Sequence, residues 1–291
     1  MRMRTGLVAL AVAVVTASCG FHTIPPPGAS PLRYRDAVFD VVSITSDVSY
    51  GSAVDQQGAA VDLKLDVYEP ARDTIASRPA IVWVHGGSFS GGDKTSAEIV
   101  FEATQMAKKG YVSVSIDYRL HDPACSVTGA DVADCVLAMI DAQHDAQAAV
   151  RFLRQHAADY RVDTDRIAIG GTSAGAITAL HVGANADDPG DSGNPGYSSA
   201  VGAAVSLSGA KLLGTESEGD APLLMFHGTA DPLVPYPWAV STLAEARAAG
   251  LVSYLTTYQG EGHVPFNHAD QIMEQTTNFL YWMLGLRDAP A

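Results

Sequence analysis

Gly171-Thr172-Ser173-Ala174-Gly175 sets a serine among small residues where a short apolar run gives way to a helical one. A sharp strand-to-helix turn needs glycines there, because bulkier side chains would strike the neighbouring backbone. Such a turn presents Oγ at a helix N-terminus, above the C-terminal edge of a sheet, where it can serve as a nucleophile. Glycine and serine are common in loops, so the pentapeptide alone is a weak pattern. Its place between strand and helix is what marks Ser173.

Three other segments fall at comparable places. His85-Gly86-Gly87-Ser88-Phe89 follows the apolar run at residues 80–84. Its glycines let backbone N–H groups turn toward a developing oxyanion. His227-Gly-Thr-Ala-Asp231 follows a run at 223–226, and Gly260-Glu261-Gly262-His263 follows the last strand-like run. The order serine, acid, histidine assigns His263 as the base that takes the Ser173 proton. Asp231 is then the carboxylate that holds the imidazole tautomer. Glu261 competes for the acid role but stands two residues from His263, badly placed to reach Nδ1. His85 precedes the nucleophile and is expected to shape its loop rather than act as base.

The elements that must position these residues follow from periodicity. Residues 38–50 and 61–68 alternate polar and apolar, as an antiparallel pair at a sheet edge does. Runs at 80–84, 111–116, 166–169, 201–207, 223–226 and 251–258 read as buried strands. Helical patterns span 96–109, 142–158, the stretch from Ser173, 237–249 and 265–284. The expected fold is α/β: an eight-stranded, mostly parallel sheet with helices on both faces. Residues 121–141 are expected as an insertion on the catalytic edge, walling one side of an otherwise open site.

The chain resembles the α/β-hydrolase carboxylesterases, in particular the lipase/esterase group with an H-G-G-x motif before the nucleophile. Ser-Ile-Asp117-Tyr118-Arg119-Leu, Asp163-Thr-Asp165-Arg166-Ile-Ala, Asn194-Pro-Gly-Tyr-Ser and His227-Gly-Thr-Ala-Asp231 carry the likeness, which covers residues 61–284. In appearance it is similar to bifunctional feruloyl and acetylxylan esterases and to arylformamidases. The resemblance implies an oxyanion hole from the N–H groups of Gly87, Ser88 and Ala174. Ser88 departs from the hormone-sensitive-lipase pattern, which has a third glycine there, and no large cap domain is expected.

Arg2 and Arg4, the apolar run at 6–15 and the small residues before Cys19 form a secretory signal over residues 1–18. Thr16-Ala17-Ser18-Cys19 resembles a bacterial lipobox, although leucine usually stands at the place of Thr16. Cleavage after Ala17 is the alternative. The protein is therefore expected to be exported, either lipid-anchored to the cell envelope at Cys19 or secreted. With Cys19 lipidated, Cys125 and Cys135 remain to pair in an oxidising compartment, or to stay as free thiols. Residues 19–35 read as a linker and 36–287 as one catalytic domain.

Of the 291 residues 47% are hydrophobic and 17% charged, and the net charge of −14 leaves no basic stripe for nucleic acid. The acidic loop at 185–194 has oxygens enough for calcium but lacks the EF-hand spacing, and a solvated loop is the better reading. No metal site, P-loop or dinucleotide motif is present, and no cofactor is expected. The expected chemistry is ester hydrolysis through an acyl-enzyme, on short-chain or on feruloyl- or acetyl-polysaccharide esters. The alternatives are amide cleavage, as in an arylformamidase or serine peptidase, and a binding module on a hydrolase scaffold.

Overall fold

The computed structural model describes residues 26–122, 124–125, 132–186 and 188–289, so the leader, Cys19 and Asp187 lie outside it. Eight strands form one sheet: β1 (Val42–Val54), β2 (Ala60–Pro70), β3 (Arg78–Val84), β4 (Val112–Ile116), β5 (Val162–Thr172), β6 (Ala204–Leu207), β7 (Leu223–Gly228) and β8 (Ser253–Tyr258). Their spatial order is β1-β2-β4-β3-β5-β6-β7-β8. The pairs β1–β2 and β2–β4 are antiparallel, and every pair from β4–β3 onward is parallel. The parallel strands therefore deliver their C-terminal ends to one edge of the sheet.

Among the described residues six α-helices cover it: α1 (Ala97–Lys108), α2 (Val132–Gln155), the single turn α3 (Ala157–Tyr160), α4 (Ala174–Ala184), α5 (Tyr236–Ala248) and α6 (Ala269–Met283). The strand period of two divides the core. Ile81 and Trp83 face α1 and α6 with Leu224 and Phe226. Val82 and Val84 face α2, α4 and α5 with Ile169 and Met225. Every residue of β3 is buried, which is why its last five, residues 80–84, read as an unbroken apolar run. Among the described residues no cap domain is inserted, and no helix is long and apolar enough to cross a membrane.

Several boundaries differ from the sequence reading, three of them for a visible reason. β1 begins at Val42 rather than at residue 38, because the N–H groups of Val38 and Phe39 donate to Lys108 O at 2.9 and 3.0 Å, at the end of α1. The insertion expected over residues 121–141 is shorter. Val132 already opens α2, since Cys135, Ala138, Met139 and Ala142 continue the buried face of Ala146 and Val150. The linker expected over 19–35 ends early as well. Tyr34 is buried edge-on to Tyr111 at 5.7 Å and donates its N–H to Lys109 O at 2.8 Å, while Arg33 pairs with Asp73 at 2.5 Å. Residues 32–35 thus belong to the packed domain.

The 185–194 loop is tied down by protein donors rather than simply solvated. Asp188 accepts from Gln143 at 3.0 Å, and Asp191 from the buried Arg119 at 2.8 Å. Arg119 also holds the fully buried Asp145 of α2.

Cys125 and Cys135 are joined by a disulfide that pins the chain after β4 to the first turns of α2. Closing so short a loop restricts the unfolded chain by about 2–3 kcal/mol. Cys135→Ser is accordingly expected to lower the urea midpoint. Addition of a reductant should lower that of the parent protein and leave the variant unchanged.

Candidate active site

Ser173 occupies the turn between β5 and α4 with φ 56° and ψ −116°, a conformation that side chains rarely adopt. Its neighbours make that turn possible. A Cβ on Gly175 would overlap Val84 O of the adjacent strand, so the helix can start this close to β3 only with glycine there. Ser173 N–H donates to Leu207 O at 2.8 Å, which fixes the turn to the end of β6.

His263 and Asp231 arrive on the loops after β8 and β7. His263 Nε2 lies 2.7 Å from Ser173 Oγ, and its Nδ1 lies 2.7 Å from Asp231 Oδ2. Because the carboxylate can only accept, Nδ1 carries the proton and Nε2 is free to accept from Oγ–H. The two loops are joined to each other: Ala230 N–H donates to Glu261 O at 2.9 Å and Gly260 N–H to Thr229 Oγ1 at 2.8 Å. Val264 N–H donates to Ser208 Oγ at 2.9 Å, holding the His263 loop to the end of β6. The competing acid is excluded by direction, since the Glu261 carboxylate accepts from Asn267 at 3.1 Å and contacts His268 at 3.3 Å, not His263.

Asp231 is buried, and desolvation alone would raise its pKa. The donors around it outweigh that and hold the carboxyl well below the usual range. Oδ1 accepts from the N–H groups of Leu233 and Val234 at 2.9 and 3.0 Å. Oδ2 takes His263 and, at 3.1 Å, Nε2 of His227.

His227, which opens the motif that ends in Asp231, belongs to the site as well. Its Nε2 also lies 2.8 Å from Val234 O, a carbonyl that can only accept, so Nε2 bears hydrogen and donates to both oxygens. The signal was a histidine in an otherwise apolar strand, four residues before the acid. His227→Phe is expected to lower kcat/KM about tenfold by removing one charge-assisted hydrogen bond. His227→Gln, which keeps an N–H donor, should recover part of it in the same assay.

The glycine loop after β3 lies against the serine. Gly87 has φ 118° and packs so tightly on Gly91 O that no Cβ fits. The N–H groups of Gly87, Ser88 and Ala174 donate to no acceptor among the described residues. His85 is buried and stacked on Tyr118 at 4.3 Å, with Nδ1 donating to Gly86 O at 2.6 Å. Burial lowers its pKa, the backbone contact opposing, so it shapes the loop as a neutral ring. Ser173 and His263 open onto a cleft of about 550 Å³ lined also by Leu233, Val264, Phe266 and the first turn of α1.

This sheet order, with a serine at the strained turn after β5 and its partners after β7 and β8, defines an α/β-hydrolase. A sequence model of the BD-FAE family matches residues 65–211, half of the chain, and the chain belongs to that family. A second model, of TAP-like proteins, matches residues 198–281. The chain is 29% identical over 184 residues to a probable carboxylic ester hydrolase, LipM, of Mycobacterium tuberculosis, covering 60% of this chain and 37% of that one. It is 28% identical over 120 residues to a fumonisin B1 esterase of Sphingopyxis macrogoltabida, covering 39% of this chain and 21% of that one. The alignments therefore span well under half of these relatives. Among solved structures, native esterase 2 of Thermogutta terrifontis superposes with a TM-score of 0.65 at 26% identity, covering 89% of this chain and 96% of that one. The same esterase phosphonylated by sarin superposes at 0.63 with 27% identity, covering 77% and 91%.

Proposed function

We propose that the protein is a serine carboxylesterase with Ser173 as nucleophile, His263 as general base and acid, and Asp231 as the orienting carboxylate. The observation that carries this reading is the unbroken line of two 2.7 Å contacts from Ser173 Oγ through His263 to the buried Asp231. In this reading His263 Nε2 takes the Oγ proton as Oγ attacks the acyl carbon. The N–H groups of Gly87, Ser88 and Ala174, which have no acceptor among the described residues, receive the oxyanion. Collapse expels the alcohol, which leaves with the proton from His263. Water then attacks the acyl-enzyme with His263 again as base, releasing the acid and restoring Ser173.

The cleft is open and no cap stands above it among the described residues, which suits bulky or polymer-linked esters, feruloyl and acetyl groups on polysaccharide included. The Cys125–Cys135 bond fits an oxidising compartment and so an exported enzyme, lipid-anchored at Cys19 or secreted. The test is a panel of short-chain p-nitrophenyl esters, methyl ferulate, acetylated xylan and N-formylkynurenine. Turnover of the aryl and polysaccharide esters is expected. Turnover of the formamide alone would replace the ester reading with amide cleavage.

A further inference from the structure

The walls of the cleft carry one uncompensated charge. Glu98, in the first turn of α1, lines the cleft beside Ser96 and Ala97, and among the described residues no lysine or arginine lines it. Among the described residues no hydrogen-bond or ion-pair partner reaches the Glu98 carboxylate. Lys94, the cation nearest in sequence, is engaged elsewhere, by Asp47 at 2.8 Å and Asp66 at 3.3 Å.

The groups behind this wall do not offset it. Glu102, one turn further along α1, is completely buried. Burial, and then the nearby Glu98, push its carboxyl well above the usual range and keep it neutral. His85 is a neutral ring for the reason given above. Asp231 is matched by its four donors, and the imidazolium formed during turnover is paired with it. Asp93, on the exposed loop before α1, is engaged by Thr95 and adds only negative charge. The wall is also fixed in place. Phe101, on the same helix, packs edge-on to Phe266 of the His263 loop at 5.5 Å, so α1 and the catalytic loop keep one spacing.

We infer that Glu98 sets the charge selectivity of the cleft, favouring esters with a cationic or neutral group near the scissile bond over esters that carry a free carboxylate there. The inference rests on the esterase reading and narrows its substrate class: neutral acylated polymers fit the cleft, and polymers with an ionised uronate beside the ester do not. A half-exposed carboxylate acts through an effective dielectric between those of protein and water. At cleft distances it is expected to separate cationic from anionic substrates by about tenfold in kcat/KM.

Three matched thioacetates test this by thiol release: acetylthiocholine, S-(3,3-dimethylbutyl) thioacetate and S-acetyl-3-mercaptopropionate. The cation-to-anion ratio of kcat/KM, with the neutral ester as reference, should fall about tenfold in Glu98→Gln and invert in Glu98→Arg. In the parent protein it should shrink as salt is raised. A ratio that does not move in either variant overturns the role of Glu98. If the parent hydrolyses neither p-nitrophenyl acetate nor any thioacetate, it is the esterase reading itself that fails, and this inference with it.

Discussion

Ser173→Ala is expected to cut p-nitrophenyl acetate hydrolysis by roughly 10⁴- to 10⁶-fold and to abolish labelling by a fluorophosphonate. Only the Oγ is lost, so the oxyanion donors and the cleft remain and the residual rate reflects them alone. The fold should survive. Ser173 Oγ contacts His263, and losing one such hydrogen bond costs about 1 kcal/mol. A circular-dichroism melt within a few degrees of the parent would show that the lost activity is not lost structure. Full labelling of the variant would move the nucleophile elsewhere.

Asp231→Asn should cost roughly 10⁴-fold in kcat with little change in KM. The N–H groups of Leu233 and Val234 demand an acceptor at Oδ1, which turns the amide nitrogen toward His263. The imidazole must then present a bare Nδ1 and carry its proton on Nε2, the tautomer that cannot accept from Ser173. The added N–H also meets the donor of His227, so the variant is destabilised as well. The sign of the pH dependence follows from the lowered native pKa of Asp231. Its ionised form contributes stability above the unfolded carboxylate pKa of about 4. That contribution is lost as pH falls through the native value. The difference in unfolding free energy between parent and variant should be largest near neutrality and shrink below pH 4. Urea titrations at several pH values check this, and a constant difference would contradict it.

The meeting of Ser173, Asp231 and His263 was legible because each follows a strand whose composition announces it. Val- and Ile-rich runs buried on both faces have few alternatives to a parallel sheet, and parallel strands must place their next residues on one edge. The parts that were not legible depend on contacts between distant segments. Tyr34 follows a Pro-rich stretch and looks like linker until Tyr111 is brought beside it. The start of α2 was missed for another reason. The cysteines and glycine at 121–135 suggested a loop, although Cys135, Ala138 and Ala142 already kept the helical period. Glu98 and Glu102 sit four apart on an ordinary amphipathic helix. Nothing in their spacing tells that one lines a cleft while the other is wholly buried.

Residues 32–35 fasten the start of the described domain to the far end of α1. The first turn of α1 lines the cleft, and the helix runs about 18 Å from there to its last turn. That last turn is where Tyr34 and Phe39 are fastened. Arg35 meanwhile holds Pro26 O at 3.0 Å. Pro26, the first described residue, is therefore held at the end of α1 remote from Ser173. The mouth of the cleft and the start of the described chain thus lie at opposite ends of α1.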